Sequence, residues 1–195
     1  ADKNRLESAG REMELNILDW FQTLHTPILD KIMTSITKLG DAGIFWIILT
    51  LLFLIIPKMR KTGIIMAAAL IMDLLICNVA VKNLVARTRP YDVNTSVQLL
   101  VAKLHDYSFP SGHTAASFAS VTALYLAGEK KLWKPALVLA CLIAVSRLYL
   151  YVHYPTDVLG GMVFGILAGF AGYWIVKLLE AKLSGRKNAG NQIRG

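Results

Sequence analysis

Three short clusters in this chain hold the residue types that could do chemistry. The first, KNLVARTRP, holds Lys82, Arg89 and Pro90. The second is Pro110-Ser111-Gly112-His113. The third, SRLYLYVHYPTD, holds Ser146, Arg147, His153 and Asp157. Lys82, Arg89 and Arg147 are three cations with no matching acid cluster apart from Asp157. They suit a dianionic phosphate, because an arginine fork binds two oxygens at once. Ser111 and Gly112 open an apolar run whose helical start would offer free backbone N–H groups and a dipole to an anion. Gly112 also lets the backbone come close. Phosphoryl transfer needs a nucleophile or base on one side and an acid for the leaving oxygen on the other, and two histidines stand ready. Asp157, four residues after His153, is near enough to hold its imidazole in one tautomer.

The elements that must position these residues are apolar. The 195 residues are 55% hydrophobic, with a mean hydropathy of +0.49. Five apolar segments, 42–57, 62–81, 114–128, 135–146 and 158–176, carry one charge among them, Asp73. The expected fold is an all-α integral membrane helical bundle with five to six transmembrane helices. Before the first segment, Ile17, Phe21, Leu24, Ile28, Ile32 and Ile36 recur at helical spacing among charges. Interfacial amphipathic helices over 13–40, broken near Pro27, fit this better than a sixth crossing. Residues 1–12 read as an appended expression remnant before a natural start at Met13. Residues 41–180 form the transmembrane domain and 181–195 a basic cytoplasmic tail. Gly161, Gly165 and Gly169 share one helix face and should admit a close neighbour. A net charge of +8 reflects cytoplasmic loops rather than nucleic-acid binding, since no aromatic-basic groove pattern accompanies it. Cys77 and Cys141 lie within apolar runs and read as small buried side chains.

Membrane parity supplies a test independent of the motifs. The end of the second segment, the start of the third, the end of the fourth and the start of the fifth must share one face, so all three clusters meet there. The opposite loops carry Lys58, Arg60 and Lys61, then Lys130, Lys131 and Lys134. By the positive-inside rule those loops are cytoplasmic and the clusters face outward.

The clusters have the form Lys-x6-Arg-Pro, Pro-Ser-Gly-His and Ser-Arg-x5-His-x3-Asp. In this the chain resembles the type 2 phosphatidic acid phosphatase superfamily, which includes bacterial undecaprenyl-diphosphate phosphatases and the soluble vanadium haloperoxidases. The likeness covers roughly residues 40–180 and implies a haloperoxidase-like phosphatase core. It implies His153 as the nucleophile, forming a phosphohistidine, Asp157 orienting it, and His113 as the general acid. Lys82, Arg89, Arg147, Ser111 and the Gly112 backbone would hold the phosphoryl group, and no metal or other cofactor is implied. The expected substrate is a membrane lipid phosphate or diphosphate at the outer face of a bacterial cytoplasmic membrane, with undecaprenyl diphosphate first. Phosphatidylglycerol phosphate or phosphatidic acid is the alternative, and a non-catalytic lipid-phosphate binder or transporter stands further off. The chain is expected to work as a monomer or homodimer.

Other residues receive blander readings. If the second span stays helical, Lys82 and Arg89 lie two turns apart, about 20° off one face, and Pro90 ends the helix. Asp73, nine residues before Lys82, then points about 180° away and is structural, while Asn78 shares the Lys82 face. In the long 91–110 loop, Val97, Leu100, Val101 and Leu104 suggest a short amphipathic helix. Arg87 should snorkel. Tyr149, Tyr151 and Tyr154 should form an interfacial belt, and His25 and His105 should be ordinary surface residues.

Overall fold

The structure is a computed structural model that describes residues 2–192, with side chains described at residue 5 and over 8–185. Its regular elements are all helices among the described residues. The helices are α1 (Asp2–Gln22), α2 (Pro27–Gly40), α3 (Ile44–Ile55), α4 (Arg60–Asp73), α5 (Lys82–Val85), α6 (Pro90–Val93), α7 (Gly112–Leu126), α8 (Trp133–Tyr149) and α9 (Pro155–Gln192). The stretches Pro27–Ile55, Pro57–Val93 and Pro155–Gly185 are long and apolar enough to cross a membrane. The expected all-α membrane bundle is therefore what the chain forms.

α7 is the central helix, with every residue from Thr114 to Leu124 buried. It packs on α9, α8 and α4. Among helices in lipid there is no hydrophobic drive to associate, so close packing must do the work. Small residues allow it. A Cβ added at Gly161 would meet the Ser111 carbonyl oxygen at 2.6 Å, one at Gly165 the Ala115 carbonyl oxygen at 2.3 Å, and one at Gly169 the Thr122 Cβ at 2.5 Å. The glycine face read from the sequence is the seam between α7 and α9. Outward-facing Ile48, Leu51, Ile55, Ile71, Val163 and Leu167 remain exposed and supply the lipid-facing surface.

α2 begins as its sequence requires, with Thr26 as the N-cap accepting from the Leu29 N–H at 3.2 Å and Pro27 in the first turn. It keeps Ile28 and Ile32 exposed and lays Thr37 and Gly40 inward against its neighbours. α1 runs through residue 13 without a break.

The second span departs from the regular helix assumed in the sequence reading. Residues Leu74–Val81 form a π-helical stretch, in which the Lys82 N–H bonds to the Cys77 carbonyl five residues back. A π-turn takes about 4.4 residues, so nine residues make about two turns. Asp73 consequently lines the same cavity as Asn78 and Lys82, rather than pointing away from Lys82. The helix also ends before Pro90. Ala86 adopts a left-handed conformation at φ 48° and closes α5, the role glycine usually fills. The chain is then extended to Arg89, and Pro90 starts α6 instead of ending a helix. Lys82 and Arg89 converge through this break and not through a shared helix face.

The 91–110 loop forms no helix beyond α6. Its shape comes from side-chain ties: the Tyr91 hydroxyl donates to the Leu104 carbonyl at 2.9 Å and accepts from the Leu104 N–H at 3.0 Å. Val97, Leu99 and Val101 then pack on buried Tyr149, Tyr151 and Tyr154. Those tyrosines are interior, not an interfacial belt. The reason is that acids on the N-terminal helices receive them: Tyr149 donates to Asp30, and Tyr151 to Asp19 at 2.7 Å.

Candidate active site

The three motif clusters meet at one end of the bundle. Arg89 and Arg147 are each only 2% exposed and Lys82 7%. Burying cations is costly unless they are paired; Lys82 and Arg89 share one carboxylate, and Arg147 finds only a hydroxyl among the described residues. Lys82 pairs with one oxygen of Asp106, while the Arg89 Nη2 donates to the other at 2.6 Å. The Arg89 Nε donates to the Asp106 carbonyl at 2.9 Å, and its Nη1 to the Val152 carbonyl at 2.7 Å. Arg147 donates to the Thr37 hydroxyl from α2, and its Nε has no partner among the described residues. Asp106 is held as an anion. Partial burial raises its pKa, but Lys82 and Arg89 outweigh that and bring it down to about 2.

His153 follows α8 in a turn where Tyr151 sits at φ 59°, a strained conformation held by the Tyr151 hydroxyl bonds to Asp19 and Asn94. The His153 Nε2 lies 3.3 Å from the Arg89 Nη1. An arginine only donates, so Nε2 carries the lone pair and Nδ1 the proton. Nδ1 faces the Asp157 Oδ2 at 3.6 Å, an ion-pair distance rather than a hydrogen bond. Burial, together with Arg89 and Arg147, lowers the His153 pKa to about 3 against the opposing pull of Asp157. The ring is therefore neutral near pH 7, as a nitrogen nucleophile must be.

Asp157, in the first turn of α9, accepts from the Tyr154 N–H at 2.9 Å, from Ser108, and from the Arg87 Nη1 at 2.7 Å. Arg87 does not snorkel. It bridges Asp157, Thr156 and Glu14, and its guanidinium lies over the Tyr154 ring at 3.9 Å. Its partners lie on α1 and α9, which draw it inward.

Ser111 is the N-terminal cap residue of α7, and its side chain makes no cap bond. The first-turn N–H groups of α7 thus remain available. A Cβ at Gly112 would meet the Asn78 Oδ1 at 3.0 Å and the Lys82 Nζ at 3.8 Å, so glycine is what lets this helix start approach the cations. His113, the second residue of α7, bonds through Nε2 to the Asp41 Oδ1 at 2.8 Å.

His113, His153, Lys82, Arg89 and Asp106 lie on the wall of one cavity of about 890 Å³. Away from this polar end the cavity runs between α3 and α4, past Ile47, Leu51, Leu70 and Leu74. It is a polar head site continued by an apolar groove. Such a shape can seat a phosphate at a neutral imidazole and an alkyl chain beside it.

Sequence reasoning missed Asp106, Asp41, Glu14 and Thr37. The one available signal was electrostatic: three cations that must be buried require counter-charges, and Asp106 lies four residues before the second cluster. His25 is not an ordinary surface residue. It stacks on Tyr149 with ring centroids 4.4 Å apart and pairs with Asp30 at 3.1 Å. His105 is exposed at the cavity rim, as expected.

Comparison with known proteins agrees with this architecture. The PAP2 superfamily model matches residues 62–180. An undecaprenyl-diphosphatase from Sulfolobus acidocaldarius is 32% identical over 164 residues, covering 84% of this chain and 78% of that one. Phosphatidylglycerophosphatase B from Bacillus subtilis is 31% identical, covering 82% and 79%. Among solved structures, a transmembrane PAP2 type phosphatidylglycerolphosphate phosphatase from Bacillus subtilis superimposes with a TM-score of 0.68 at 29% identity, over 89% of this chain and 87% of that one.

Proposed function

Because the chain belongs to the PAP2 superfamily and is a membrane lipid phosphatase, we propose that it removes the terminal phosphate of a lipid diphosphate, undecaprenyl diphosphate first, through a phosphohistidine on His153 and without a metal. The observation that carries this reading is the convergence of a neutral buried imidazole and two buried cations, Lys82 and Arg89, at the head of an apolar groove, with a third, Arg147, buried outside its lining. The His153 Nε2 lone pair attacks phosphorus, and the bond to the leaving oxygen breaks. His113 gives that oxygen a proton. Lys82, Arg89, Arg147 and the N–H groups opening α7 hold the non-bridging oxygens, supplying fixed positive charge where it develops. Water then attacks the phosphohistidine, passes its proton to His113, and releases phosphate. Asp157 holds the Nδ1 proton and stabilises the charge on the ring.

The groove between α3 and α4 seats the lipid chain, whose exit lies among residues exposed to the bilayer. The site faces the outside of a bacterial cytoplasmic membrane, because the basic loops at Lys58–Lys61 and Lys130–Lys134 lie at the other end of the spans. A second reading, hydrolysis of phosphatidylglycerol phosphate or phosphatidic acid, is favoured by the likeness to the Bacillus subtilis phosphatidylglycerophosphatase. The test is release of phosphate by purified protein from all three lipids in excess chelator. Preference for the diphosphate supports the first reading, and preference for a monophosphate lipid replaces it with the second. Strict dependence on added magnesium contradicts the mechanism.

A further inference from the structure

Asp41 lies in the turn between α2 and α3, before the stretch that the family model matches. Its Oδ1 stands 2.8 Å from the His113 Nε2, a charge-assisted distance. The turn is built around this contact. Gly40 packs so tightly that a Cβ would lie 2.8 Å from the His113 Cδ2 and 3.0 Å from the Ile143 Cγ2. Ala42 then takes φ 49° and Gly43 φ 67°. A left-handed alanine is strained, and strain of this kind persists only where surrounding contacts over-determine it. The His113 ring is thus fixed on one side by the Gly40 backbone and on its edge by the Asp41 carboxylate.

The other charged groups facing His113 are Arg147 from α8 and Lys82 from the second span. Burial most of all, and then these two cations, disfavour a protonated imidazole and bring the His113 pKa down to about 4 against the pull of Asp41. Asp41 is the one anion in contact with the ring among the described residues. We infer that Asp41 is a positioning residue for the leaving-group proton: it orients His113 and favours the imidazolium form that burial and the two cations oppose. The imidazolium gives one N–H to Asp41 and passes the proton of the other to the oxygen leaving phosphorus. His113 becomes neutral as the P–O bond breaks, and its N–H bond to Asp41 is kept. This deepens the proposed function and rests on its assignment of His113 as the acid.

The chemistry identifies its own test. A leaving group of high basicity needs the proton, and p-nitrophenolate does not. In purified full-length protein, Asp41→Asn should lower kcat for phosphatidic acid at least tenfold more than for p-nitrophenyl phosphate. The alkaline limb of kcat/KM for the lipid should move down by about one pH unit, since loss of a neighbouring anion makes the imidazolium more acidic. Asp41→Glu should restore most of the lipid activity. Equal losses on both substrates, or an unmoved alkaline limb, would overturn the inference and leave Asp41 a structural cap. Failure of the underlying reading looks different: in that case His113→Ala would also lower both substrates equally, or wild-type protein would hydrolyse neither.

Discussion

Substituting Gly165 with alanine tests whether the α7–α9 seam sets the spacing of the site. The added Cβ would stand 2.3 Å from the Ala115 carbonyl oxygen and 3.0 Å from that residue's Cα and carbonyl carbon. These are backbone atoms, so no side chain can swing aside. Ordinary contact begins at 3.4 Å, and the two helices must part by about 1 Å. Overpacking of this kind costs about 1–3 kcal/mol, offset by up to about 1 kcal/mol from alanine's better helix propensity. A net loss of about 1–2 kcal/mol corresponds to a melting temperature lower by about 2–8 °C. The consequence for activity is larger. α7 carries Ser111, Gly112 and His113, and α9 carries Asp157, which faces His153. A separation of about 1 Å between the two sets is enough to cost about a hundredfold in kcat. Thermal unfolding in detergent and phosphatase turnover measure the two effects. Gly185→Ala is the control, because its Cβ would meet nothing within 4 Å. If Gly165→Ala keeps wild-type melting and turnover, the seam does not position the site.

Two further outcomes concern charge. Asp106 occupies the Lys82 and Arg89 donors that the proposed mechanism gives to the phosphoryl group and, held near a pKa of 2, it would compete at every working pH. Asp106→Ala should therefore tighten inhibition by orthovanadate about three- to tenfold, allowing for the screening of a half-exposed pair; weaker or unchanged inhibition would show that Asp106 orients the cations instead. His153, with its pKa lowered to about 3, should be neutral above that pH and gain charge only below it. Nitrogen-15 shifts of its ring, assigned with His153→Gln, should report the Nδ1–H tautomer at pH 5, and titration near 6.5 would contradict the described environment.

The helix-rich membrane fold and the meeting of three clusters were legible because both depend on local pattern. Apolar run lengths mark the spans, parity brings the clusters to one face, and the glycine spacing marks the α7–α9 seam. What escaped the sequence depended on partners distant along the chain. Tyr149 and Tyr151 look interfacial until Asp30 and Asp19 of the N-terminal helices are seen to receive their hydroxyls. Arg87 looks like a snorkelling cation until Glu14 and Asp157 enclose it. The position of Asp73 failed for another reason: a 3.6-residue period was assumed across Leu74–Val81, where the backbone is π-helical. Nothing in that apolar stretch announces the wider turn.

The account rests on His153 as the nucleophile, and the covalent intermediate tests it most directly. Protein mixed with phosphorus-32-labelled lipid substrate and quenched in alkali should carry label that is acid-labile, alkali-stable and mapped to a peptide containing His153. In His153→Ala, label and turnover should both vanish while the melting profile is kept. Label on another residue, or turnover retained in His153→Ala, would contradict the mechanism.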